Sequence, residues 1–122
     1  MSKRIVDNET LFRSVPNIPQ MWKPDAQRPS SAVFKDSKGV SVDRDCNRTL
    51  EESVDAMRTR FPDLRAIVSV TVNDCHDVEA QVYAKPVKEN RCHAEIRRNE
   101  TDARLSSGMA RRLALKAIVQ YP

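Results

Sequence analysis

The chain has 122 residues, 39% hydrophobic, 31% charged and only 5% aromatic. That length fits a single domain, 1–122, which can bury roughly two-thirds of the surface its unfolded chain exposes. The net charge of +4 permits an anionic partner without requiring one, since both signs are interspersed, and no apolar run approaches the length of a membrane span.

Residues 1–9 are polar and are expected to fray. Leu11 to Val15 reads as a short strand that stops at Pro16. Four prolines, at 16, 19, 24 and 29, fix φ and remove donors, so 16–29 reads as a long irregular loop. Met21 and Trp22 are expected to pin it to the body. Loops of this length in compact domains are often functional. Ser30 to Phe34 reads as a helical turn or a short strand. Asp36-Ser37-Lys38-Gly39 is a turn with Gly39 at positive φ. Val40 to Val42 alternates as a strand.

Thr49-Leu50-Glu51-Glu52 matches a capping box. Leu50, Val54, Met57 and Phe61 recur at helical spacing and define an expected buried stripe, ended by Pro62. Ala66–Val72 is β-branched and alternating, with Val68, Val70 and Val72 on one face. Asn73 to Asp77 reads as a turn. Val78–Ala84 alternates again, with Val78, Ala80 and Val82 inward, so 66–84 is expected to form an antiparallel hairpin. Cys92 to Arg97 is a third alternating run. A final helix is capped by one of Thr101, Asp102, Ser106 or Ser107. Leu105, Met109, Leu113 and Ala117 form its stripe, widened by Ile118.

The cysteines, at 46, 75 and 92, are odd in number and contain no CxxC. No apolar segment of a signal peptide opens the sequence. The expected location is therefore cytoplasmic and reducing, with free thiols. Cys75-His76 and Cys92-His93 carry zinc-type ligands, but structural sites separate paired ligands by two to four residues, so no metal site is expected. No cofactor signature is present.

Three groups of residues carry candidate chemistry. His93 and Glu95, two apart on a strand, share a face with Arg97 and suit a general base and its orienter, or simply a polar outer sheet face. Arg13, Arg28, Ser30 and Ser31 offer guanidinium forks and hydroxyls to an anion. Arg97, Arg98, Arg104, Arg111, Arg112 and Lys116 make a basic C-terminal region suited to phosphates.

The runs Leu11-Phe12-Arg13, Arg28 to Asp36, Gly39 to Asp43 and His93 to Ile96 resemble a pattern in small uncharacterised bacterial proteins. That resemblance implies a bacterial or phage source and no particular activity. More loosely, Arg13, Ser30-Ser31 with Phe34, and Glu95 follow the chain order found in ADP-ribosyltransferase-like folds. Those carry an early arginine, a serine-rich strand and a late catalytic glutamate, where many members have two. This likeness implies a nucleotide- or NAD-handling enzyme.

The expected fold is α+β: a small, mainly antiparallel sheet, two helices packed on one face, and the 16–29 loop across it. The leading functional expectation is a non-enzymatic binding or adaptor module whose partner is another protein, contacted through exposed Met21 and Trp22. An enzyme built on Arg13, Arg28, Ser30, Ser31, His93 and Glu95, and weak nucleic-acid binding through the C-terminal helix, are the alternatives.

Overall fold

The computed structural model describes residues 5–122. Its strands are β1 (Thr10–Pro16), β2 (Trp22–Lys23), β3 (Arg28–Pro29), β4 (Val40–Arg44), β5 (Leu64–Thr71), β6 (Gln81–Ala84), β7 (His93–Arg97) and β8 (Ile118–Tyr121). The helices are α1 (Leu50–Arg60), α2 (Val72–Asp77) and α3 (Ser107–Lys116), with 3-10 turns at Pro19–Met21 and Ser31–Phe34. Six strands form one sheet in the order β6-β7-β4-β1-β5-β8, and every pairing is antiparallel. The fold is α+β.

The sheet is covered on both faces. On one, Leu11, Val15, Val40, Val42, Val68, Val70, Ala94 and Ile96 pack with Val33 and Phe34 of the second 3-10 turn, Cys75 of α2, and Met109, Ala110 and Leu113 of α3. On the other, Phe12 and Ile67 pack under Val54 and Met57 of α1. Two helices do share a face, but they are α2 and α3; α1 lies opposite. The reason is strand alternation: Phe12 and Ile67 point away from the larger core, leaving apolar surface that needs its own cover.

Local chemistry explains the element ends. At α1, Thr49 Oγ1 accepts from the Glu52 amide at 3.1 Å and the Glu52 carboxylate accepts from the Thr49 amide at 2.8 Å. These hydrogen bonds hold the Glu52 carboxyl below its ordinary pKa. The expected stripe of α1 is half right. Val54 and Met57 are buried, whereas Leu50 is 52% and Phe61 42% exposed. Leu50 stands on the first turn, which carries three exposed residues, Leu50, Glu51 and Glu52. Phe61 precedes Pro62 and has left the helix, at φ −125 and ψ 80, so helical spacing no longer sets its direction.

The expected 66–84 hairpin does not form. β5 is the penultimate strand of the sheet and β6 the opposite edge. Thr71 instead caps α2: its hydroxyl accepts from the Asp74 amide, and Asp74 accepts from the Thr71 amide. A second capping box therefore turns the presumed turn into a helix that leads the chain toward the far edge. Val72, Val78 and Ala80 are buried as expected, though outside the strands.

The C-terminal stripe holds at Leu105, Met109 and Leu113, all buried, with Ser106 as the cap. It fails at Ile118, which is 62% exposed and opens β8, a strand the sequence reading missed. The expectation of a frayed 1–9 is corrected for residues 5–9; residues 1–4 lie outside the described residues. Ile5 packs against the larger core, Val72 N–H bonds the Glu9 carbonyl at 3.0 Å, and Glu9 pairs with Arg44. The thiols are not all free: Cys46 and Cys92 form a disulfide, and only Cys75 is unpaired. Burial pushes the Cys75 thiol up to about 12, with Asp74 adding to the rise.

Candidate functional site

The exposed side of α3 is basic. Its inward positions, Met109, Ala110, Leu113 and Ala114, are buried against the sheet and the Ser31–Phe34 turn. Arg111, Arg112, Leu115 and Lys116 consequently face outward, and the helix SGMARRLALK contains no acidic residue. Arg104, Arg111 and Arg112 are exposed and make no ion pair among the described residues. Lys116 reaches Asp77 of α2 at 3.5 Å, across an exposed surface. Arg98 has only a long contact of 3.9 Å to Asp102.

Arg97 differs from the other cations of that group. Its guanidinium donates to Glu95 at 3.0 Å and to the carbonyls of Asn99 and Glu100 at 3.4 and 3.3 Å. It holds the loop after β7 and has little left to offer a phosphate.

His93, Glu95 and Arg97 do share a face, with Cys92, Ala94 and Ile96 buried on the other. The register builds a polar grid across β4, β7 and β6. Asp43 stands opposite His93, Ser41 opposite Glu95, and Tyr83 opposite Glu95 from the other side. His93 Nδ1 donates to the Lys85 carbonyl at 2.9 Å. Glu95 is shared between Arg97 and Lys85, the latter at 3.7 Å. Asp43, 2% exposed, accepts both oxygens' worth of bonding from Arg60 of α1 at 2.8 and 2.9 Å, and a further bond from Asn90 at 2.9 Å. Glu95 lies with Arg97 and Lys85, not with His93, so the orienter role expected of it has no hydrogen bond behind it.

Arg13 lies on the opposite face of the sheet from His93 and Glu95. Phe12, Asp43 and His93 are directly opposite one another across β1, β4 and β7, and Arg13 is the next residue after Phe12. Its Nε donates to the Val33 carbonyl at 3.2 Å and a terminal nitrogen to the Ser41 carbonyl at 3.0 Å, where the β1–β4 ladder has ended. Arg13 thus latches the 3-10 turn to β4. Burial pushes its pKa below the ordinary value, against the opposing pull of Asp36. Ser30 Oγ donates to the Gln20 carbonyl, and Ser31 opens the 3-10 turn. Arg28 sits opposite Lys23 in the β2–β3 ribbon. The six residues expected to converge are divided between two faces and a loop.

Met21 and Trp22 pin the proline-rich loop, as expected. They are half-buried against the larger core, and Arg65 lies 4.5 Å above the Trp22 ring. The further expectation that they are exposed for a partner is corrected: the Trp22 indole nitrogen is itself buried, without a partner.

Sequence reasoning missed the Asp43–Arg60–Asn90 cluster and one cleft. The cluster joins residues 17 and 47 apart, with no local pattern to mark it. The cleft, about 570 Å³, lies between the last turn of α1 and the ends of β5 and β8. Phe61-Pro62 was its available signal, read only as a helix end. Among the described residues no helix is long and apolar enough to cross a membrane. No protein-family model, no curated protein and no solved structure matches the chain.

Proposed function

We propose that the chain is a non-enzymatic binding module that engages nucleic acid through the outward face of α3. The carrying observation is that Arg104, Arg111 and Arg112 stand exposed, with no ion pair among the described residues, on or beside a helix with no acidic residue. A duplex or single strand presents a regular line of phosphates, and unpaired guanidinium groups on a rigid helix displace its counterions. Lys116 and Arg98, loosely tethered, extend the same surface. Lys35, at the end of the turn on which α3 packs, is also exposed.

A partner protein held through Met21 and Trp22 loses its support, because both side chains are engaged with the core. An enzyme of ADP-ribosyltransferase type loses its support too, because Arg13 and Glu95 face opposite sides of the sheet. The resemblance to small bacterial proteins accords with a bacterial or phage source; the Cys46–Cys92 disulfide argues against the reducing cytoplasm expected from free thiols.

The test is fluorescence anisotropy with labelled single- and double-stranded oligonucleotides across a salt series. With about four phosphate contacts, the logarithm of affinity should fall with the logarithm of salt at a slope of about −3 to −4. Binding that is absent, or indifferent to salt, overturns the reading.

A further inference from the structure

The cleft at the end of α1 has a rim of rings and guanidinium groups. Pro62 forces Phe61 out of the helix, and its ring is 42% exposed rather than packed in the core. Arg60 lies 4.9 Å from the centre of that ring while its terminal nitrogen holds Asp43. Tyr121, at the end of the edge strand β8, lies beneath Arg58, whose guanidinium is 4.4 Å from the ring centre. Leu64 forms the apolar wall.

Arg58 is held in place yet not satisfied. Its contact with Asp55 is 3.9 Å, too long for a hydrogen bond, so among the described residues its N–H groups have no hydrogen-bonded carboxylate while the Tyr121 ring lies beneath it. A guanidinium in that state matches a phosphate or carboxylate in a two-point fashion. Arg60 covers one face of Phe61, and the exposed part of the ring that lines the cleft is what a flat base would stack on; aromatic stacking is tolerant of which base it receives. Asp55, exposed at the same rim, can accept from sugar hydroxyls or an exocyclic amine. The cleft volume of about 570 Å³ lies within the range of small-molecule sites.

We propose that this cleft binds a nucleoside monophosphate, its base on Phe61, its phosphate on Arg58 and its ribose at Asp55. The site lies on the α1 face of the sheet, opposite α3, and stands or falls separately from the nucleic-acid surface.

The experiment is a titration of the full ¹⁵N-labelled chain followed by NMR. Adenosine 5′-monophosphate is the probe; adenosine and ribose 5-phosphate are the controls. The expected result is amide shifts confined to 55–64 and the 119–121 strand, with the monophosphate binding about tenfold tighter than either fragment, as expected for one charge-assisted fork plus one stack. Arg58→Ala and Phe61→Ala should each weaken binding about tenfold. Both side chains are close to half exposed and lie outside the buried core, so both variants should fold. Arg58→Lys, which keeps charge but not the fork, should fall between. Arg111→Ala/Arg112→Ala should leave the affinity unchanged. Shifts that map to α3, that are absent at millimolar probe, or that survive both cleft variants overturn the assignment.

Discussion

On the face carrying α1, the carboxylates of the sheet are matched. Asp43 is held by Arg60 and Asn90, and Glu95 by Arg97 and Lys85. On the face carrying α3, the apolar core lies beneath and the cations above have few partners or none. The contrast separates two uses of arginine. Where a carboxylate is buried in a sheet, a guanidinium must come to it, because an unpaired buried charge is costly. Where the helix underside is wholly apolar, its outer charges are left for something outside the chain. The basic residues cannot be read as one population, and Arg97 and Arg111 belong to different classes despite equal prominence in sequence.

The disulfide ties the segment after β4 to the residue before β7, and removing it should have the largest effect. Cys46 and Cys92 close a loop across a separation of 46 residues, so Cys46→Ser/Cys92→Ser should cost about 4 kcal/mol by loop-closure entropy. Urea unfolding with and without reductant checks this; equal midpoints for wild type in both conditions would show that the bridge constrains nothing.

Asp43→Ala should come next, at about 2–3 kcal/mol, reduced from the full cost of a broken buried pair because Arg60 is 35% exposed and can turn to water. The same measurement on Glu95→Ala, whose carboxylate is 17% exposed, should give a smaller loss. If the two are equal, burial is not what ranks these pairs.

Arg111→Ala/Arg112→Ala sharpens the comparison from the other face. Stability should stay within about 0.5 kcal/mol, since these side chains are exposed and make no ion pair among the described residues. Oligonucleotide affinity at 0.1 M salt should fall about tenfold, and the salt slope should shrink by about two. A stability loss matching that of Asp43→Ala would place α3's arginines in the structural class.

The smallest effect lies at the α1 capping box. Thr49→Ala should cost about 1 kcal/mol. The Glu52 carboxyl is held below its ordinary pKa by hydrogen bonds from Thr49. Its contribution is thus complete above the ordinary carboxylate range and is lost as pH falls through the lowered value. The melting-temperature difference between wild type and Glu52→Gln should therefore be full at neutral pH and close on acidification. A difference that persists at low pH would assign it to something other than the ionised carboxylate.

Much of the local structure was legible in the sequence. The capping box at Thr49, the break at Pro62, positive φ at Gly39 (φ 96) and the alternation of 92–97 follow from rules acting within a few residues. The pinning of Met21 and Trp22 was legible for the same reason: a proline-rich loop needs apolar anchors. The same class of rule was present and unread at Thr71-Val72-Asn73-Asp74, where the cap starts a helix. At Ile118, the helical period ran past the true end of α3 into a strand.

What the sequence by itself determined is the α+β class, the single-domain length, the inward faces of most strands and the basic outer side of α3. These depend on period and composition, which a chain carries locally. The tertiary structure alone decided strand order, which placed β5 and β6 far apart, and the split of the helices between faces. It also decided that Arg13 and His93 point to opposite sides, that Cys46 meets Cys92, and that Asp43 is answered by Arg60. Those outcomes depend on register and on contacts between distant residues. A shift of one position turns a side chain to the other face, and no local pattern fixes which strand will be its neighbour.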